Sequence, residues 1–142
     1  MSNLKNVVGL FGTCGDSQWR NPVIARLQEA GFEHFNPVVP NWTPECAVAE
    51  SEHLASDRVL LFVITGETEG IASMAEAGFA ALSAHKNGQT FILVVEDFPD
   101  GNPKSAVNRA RKLVRAHAEK AGLKVFSSIE QATDAALEAM AA

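Results

Sequence analysis

Residues 59–80 read VLLFVITGETEGIASMAEAGFA. The first six are apolar and half of them are β-branched, the composition of a strand covered on both faces. From Thr65 to Gly70 the chain turns polar and glycine-punctuated. From Ile71 onward, alanine and other helix formers bring apolar residues round at spacings of three and four. A buried strand, a short loop and an amphipathic helix make one unit of a parallel α/β sheet.

The same change of period recurs along the chain. Strands are expected at residues 7–11, 33–36, 59–64, 91–95 and 124–126, and helices at 18–30, 45–55, 71–85, 104–121 and 129–140. Strict alternation of the two predicts a doubly wound α/β fold, a five-stranded parallel sheet with helices on both faces. Punctuation agrees with these boundaries. Thr43-Pro44 and Asn102-Pro103 each set a capping side chain before a proline suited to the first helical position, Gly31, Gly88 and Gly122 follow helix ends, and Ser128 with Gln131 reads as a capping box.

With 142 residues, 46% hydrophobic and 20% charged, the chain fits a single domain over residues 1–142, with no repeat or linker. The net charge of −5 is spread without a Lys/Arg stripe, so duplex nucleic acid is not an expected partner. No apolar run approaches the roughly 20 residues that span a bilayer, and no secretory segment opens the sequence; a cytoplasmic protein away from membranes is expected. Cys14 and Cys46 form no Cys-x-x-Cys pair and the four histidines are scattered. Neither a disulfide framework nor a metal site is expected.

In open parallel sheets ligands bind beyond the carboxyl ends of the strands, where the winding reverses. Three segments there could carry chemistry. The first runs from Gly9 to Ser17 and on to Trp19 and Arg20; glycines at Gly12 and Gly15 allow close backbone approach, Thr13 and Asp16 offer polar groups, and a helix amino terminus follows. It fits neither a Walker loop nor a dinucleotide fingerprint, and a purely structural turn is the plain alternative. The second, residues 35–45, is held extended by prolines and presents Asn36, Asn41 and Trp42 at small ordering cost. Trp42 and Trp19 could stack on a base, or simply pack at a rim. In the third, Ser73 and Glu76 share a helix face, and a carboxylate in the early turns is kept ionised by the helix dipole, as a nucleophile requires; a solvated glutamate is the alternative.

Taken together these segments resemble the nucleoside 2-deoxyribosyltransferase family. The likeness is carried by Gly12-Thr13, Gly15, Ser17 and Trp19-Arg20, by the Phe35-Asn36-Pro37-Val38-Val39-Pro40 segment with Trp42, by Ser56-Asp57, and by Ala75-Glu76-Ala77-Gly78-Phe79-Ala80. It implies a flavodoxin-like, Rossmann-like sheet of order 2-1-3-4-5 and a reaction without metal or cofactor. The nucleophile falls on Glu76, which would attack the anomeric carbon of a nucleoside or nucleoside monophosphate by double displacement with retention. Ser73 keeps the hydroxyl of the family's Gly-Thr, and Asn108 corresponds to a polar residue near the sugar. Where the family helix begins with Asp, this chain has Gly70. The proton donor is thus open among Glu69, Glu67 and Asp16.

Two other readings remain. A nucleotide-sensing module would keep the cleft and lack turnover, whereas a receiver-like domain lacks its acidic pair after the first strand. Family members form homo-oligomers, for which the Ala-rich last helix is a candidate surface.

Overall fold

A computed structural model describes residues 3–142. Five strands alternate with five helices: β1 (Lys5–Gly12), α1 (Arg20–Glu29), β2 (Glu33–Phe35), α2 (Pro44–Ser56), β3 (Asp57–Ile64), α3 (Ile71–Asn87), β4 (Thr90–Val95), α4 (Ala106–Lys120), β5 (Lys124–Phe126) and α5 (Ile129–Ala141). All neighbouring strands are parallel and the order is β2-β1-β3-β4-β5. This is the doubly wound sheet and the strand order expected above.

The sheet's chemistry explains why β3 sits at its centre. Except for half-buried Arg58, every β3 residue is buried, and its apolar side chains alternate between two cores. Val59, Leu61 and Val63 face the layer of α1 and α5, where Leu27, Ala132 and Ala136 pack. Leu60, Phe62 and Ile64 face α3 and its neighbours, where Ala77, Ala80 and Ala84 allow the helix to lie close to the strands. α2 differs from the others in having no fully buried residue. Its amino end starts as expected, with Thr43 before Pro44 and the Thr43 amide donating to Cys46 Sγ at 3.4 Å.

The Asn102-Pro103 boundary is corrected. Asn102 Oδ1 accepts from the Lys104 amide at 3.0 Å, closing a turn there, and α4 begins only at Ala106. Its cap is Ser105, whose hydroxyl accepts from the Asn108 amide at 3.2 Å. A side chain that caps its own local turn competes with the helix for the same backbone, and here the turn wins. At α5, Ser128 Oγ accepts from the Gln131 amide at 3.1 Å, the first half of the expected box. Among the described residues no helix is long and apolar enough to cross a membrane.

Candidate functional site

After β1 the chain crosses to β2 on one side and returns to β3 on the other, so the winding reverses between β1 and β3. The loops leaving these two strands are tied to each other. Gly12 has φ +120°, and a Cβ built on it would lie 1.9 Å from the Val63 carbonyl oxygen, so only glycine fits where β1 presses on β3. The next residue completes the seam: the Thr13 amide donates to Val63 O at 2.9 Å and the Thr65 amide donates to Thr13 Oγ1 at 2.9 Å.

Trp19 and Arg20 belong to the same construction. Trp19 Nε1 and Arg20 Nη1 both donate to the Thr13 carbonyl, at 2.8 and 2.7 Å, and Arg20 Nε donates to Leu10 O at 2.9 Å. Both side chains are buried, and Trp19 packs into the α1/α5 core. Of the expected binding residues in this segment, Gly12, Thr13, Trp19 and Arg20 are therefore built into the seam beneath the β1 loop, while Asp16 is exposed beside Cys14 and Gly15. Ser17 reaches across and donates to Glu67 Oε1 at 2.5 Å, joining the β1 loop to the β3 loop.

Glu76 is exposed on α3, with Ser73 half-buried one turn earlier. Facing it from α2 is Glu50. Burial raises the Glu50 pKa first, the charge of Glu76 raises it further, and the Arg20 guanidinium pulls it down. Two carboxyl groups and a guanidinium thus share one field at the reversal point of the sheet. A buried carboxyl beside a second carboxyl group is pushed toward its protonated form, and Glu50 is the one so placed.

Gly70, at the head of α3, has φ +66° and contributes no side-chain cap. Glu69 is exposed, and its carbonyl accepts from Arg111 Nη2 at 3.0 Å. In the β2–α2 loop, Asn36 Oδ1 accepts from the Val38 amide at 3.0 Å, leaving Asn41 and Trp42 exposed; Trp42 is 62% accessible, in contrast to 6% for Trp19.

Asn108 lies apart from this group. Its Nδ2 donates to Phe98 O, Asp100 Oδ1 and Asn102 O at 2.9, 2.9 and 3.2 Å, and its Oδ1 accepts from the Phe98 amide at 2.8 Å. That closes the β4–α4 loop on itself and leaves the side chain no free donor. Beside this loop is an open cleft of about 500 Å³ lined by Asp97, Phe98 and Arg115, but it holds none of the paired carboxyl groups.

Two residues escaped the reading of the sequence. Glu50 shares the half-buried face of α2 with Cys46, Ala49, His53 and Leu54, and a carboxylate on an inward helix face is the signal that could have found it. Arg111 sits on the inward stripe of α4 with Val107, Val114 and Ala118, a cation where period 3.6 calls for an apolar residue.

Residues 6–98 match the family described as Nucleoside 2-deoxyribosyltransferase like. The match runs from β1 past the end of β4 and takes in Glu50, Gly70 and Glu76, while Asn108 and Arg111 lie beyond it. No curated protein matches the chain.

Proposed function

The chain belongs to the nucleoside 2-deoxyribosyltransferase-like family, and from that premise we propose that it cleaves or transfers the N-glycosidic bond of a nucleoside or nucleoside monophosphate, with Glu76 as nucleophile. The observation that carries this reading is the pairing of Glu76 with Glu50, whose pKa is raised by burial and by the Glu76 charge. A glycosyl transfer by double displacement needs one ionised and one protonated carboxyl group.

The steps balance on these two groups. A Glu76 oxygen attacks the anomeric carbon as the glycosidic C–N bond breaks; the electron pair leaves on the base nitrogen, which takes the Glu50 proton. A second base, or water, then attacks the anomeric carbon from the face the first base left. Glu50 takes up the proton of the incoming nucleophile, and the Glu76 ester bond breaks with net retention. Of the donors left open by the sequence, Glu67 is engaged by Ser17, while Glu69 and Asp16 are exposed, so Glu50 has the environment best suited to hold a proton.

Exposed Trp42 is the aromatic face for the base, with Asn36, Asn41, Asp16 and Ser73 as polar partners, and the reaction uses no cofactor. A homo-oligomer fits the exposed Ile71, Phe79 and Leu82 of α3 better than α5, which turns Ala132, Ala136 and Met140 into its own sheet.

The second reading, a nucleotide-binding module without turnover, is favoured by Gly70 in place of the family's Asp. One experiment separates the two: base release from 2′-deoxynucleosides, ribonucleosides and their monophosphates, with and without an acceptor base, for wild type and Glu76→Gln. Release that falls by several orders of magnitude in the variant supports glycosyl chemistry on Glu76. A silent panel with retained nucleotide binding supports the module, and equal turnover in the variant sinks the nucleophile assignment.

A further inference from the structure

Arg111 is fully buried and hydrogen-bonds no carboxylate. Its guanidinium holds four backbone carbonyls instead: Nη1 donates to Thr65 O and Glu96 O at 2.9 and 2.7 Å, and Nη2 to Thr68 O and Glu69 O at 2.8 and 3.0 Å. Nε is buried without a partner. The charges of Glu96 and Asp97 favour the cation from a distance, but a buried guanidinium whose hydrogen bonds all go to carbonyls is still costly to maintain, and an apolar side chain would fill the inward stripe of α4 at lower cost. What the guanidinium supplies that an apolar side chain cannot is a fixed fork of donors.

Three of the four carbonyls belong to residues 65–69, the loop that launches α3. That helix has no side-chain cap. Its first residue follows Gly70 at φ +66°, where an added Cβ would lie 3.2 Å from both Arg111 Nη2 and Ile64 Cγ2. The direction in which α3 leaves the sheet is therefore set by the guanidinium against the loop backbone. Glu76 rides six residues beyond Gly70, about 9 Å along the axis at the rise of an α-helix. A small pivot at Gly70 moves its carboxylate relative to Glu50, which stands on a different helix.

We infer that Arg111 is a positioning residue for Glu76, acting through the carbonyls of Thr65, Thr68 and Glu69. The inference rests on the glycosyl-transfer reading for its catalytic consequence and on the loop geometry for its structural one. Lysine keeps the charge but offers a single point of donation, so it cannot span the four carbonyls.

The test is Arg111→Lys in the full chain, with Leu27→Ala as a control that loosens the core on the opposite face of the sheet. Arg111→Lys should lower kcat per folded molecule about 10- to 100-fold, the scale of a misplaced reacting group. KM should stay within about threefold, because Ser73 is the one proposed binding contact that α3 carries, while Trp42, Asn36, Asn41 and Asp16 stand on other loops. Leu27→Ala should leave kcat per folded molecule unchanged. Amide exchange at Met74, whose N–H donates to Gly70 O at 2.9 Å, should accelerate in Arg111→Lys and not in Leu27→Ala. A wild-type kcat in folded Arg111→Lys, or an equal fall in Leu27→Ala, overturns the inference. If wild-type protein releases no base, the glycosidic reading fails separately, and Met74 exchange still decides the positioning: acceleration supports it and unchanged exchange overturns it.

Discussion

Glu50 on α2 and Glu76 on α3 stand close enough for the charge of one to raise the pKa of the other. Neither helix brings this about alone. α3 is seated on the sheet by Ala77, Ala80 and Ala84, whereas α2 has no fully buried residue and is anchored at its carboxyl end, where His53 Nδ1 lies 2.7 Å from Asp57 Oδ1 and its ring stacks on Phe35 at 3.8 Å between centroids. The pair thus depends on both a well-buried helix and a lightly held one, and its acid–base character is the most direct thing to measure.

Glu50→Gln tests that character through pH. The folded-state pKa of Glu50 is raised, so its proton is present at low pH and lost as pH rises through that value. If it donates to the leaving base, wild-type kcat/KM should decline on the alkaline side of the Glu50 pKa. The variant should lose this limb and fall by about 10²- to 10⁴-fold, the range for a general acid. A variant profile that keeps the wild-type alkaline limb would assign the proton to another group.

The two tryptophans should separate cleanly in fluorescence. Trp19 is buried with its indole N–H on the Thr13 carbonyl, while Trp42 is largely exposed. Acrylamide should quench Trp42 and spare Trp19, and any nucleoside-dependent change should vanish in Trp42→Phe. A nucleoside response that survives in Trp42→Phe would mean that the base reaches Trp19 despite its burial.

The fold was legible because its signals are local and repeated: the run of residues 59–64 and the alanine spacing after Ile71 each specify their element before any tertiary contact is considered. The site was legible where a motif is contiguous, as at Glu76. It was not legible for Glu50 and Arg111, whose roles come from facing another element, nor for Trp19 and Arg20, which stand at the head of α1 yet turn inward to the Thr13 carbonyl. Asn102 misled for a related reason, since one side chain can cap a helix or close a turn and only the competing cap at Ser105 decides.

Gly12→Ala should damage the switch point. The methyl would meet the Val63 carbonyl and require a residue other than glycine at φ +120°, so the loss of stability should be on the order of 3 kcal/mol or more, from backbone strain and overpacking together. Chemical denaturation reads this directly, and a loss below about 1 kcal/mol would mean that β1 and β3 part at little cost.

Asp57 offers a pH signature that belongs to the fold and not to turnover. Its carboxyl is fully buried, with Oδ1 on His53 and Oδ2 without a partner; Gly9 makes room for it, since a Cβ there would lie 2.7 Å from Oδ2. Burial raises its pKa, against the lowering by His53 and Lys5. A carboxyl whose folded pKa lies above its unfolded value near about 3.9 contributes its full stability below that value and loses it as pH rises through the folded pKa. Asp57→Asn removes the titration while keeping the shape. The melting temperature of wild type minus that of the variant, followed from about pH 3.5 to 6, should therefore fall as pH rises. A difference that grows with pH would mean that the His53 pairing outweighs burial and that the Asp57 carboxylate is a net source of stability.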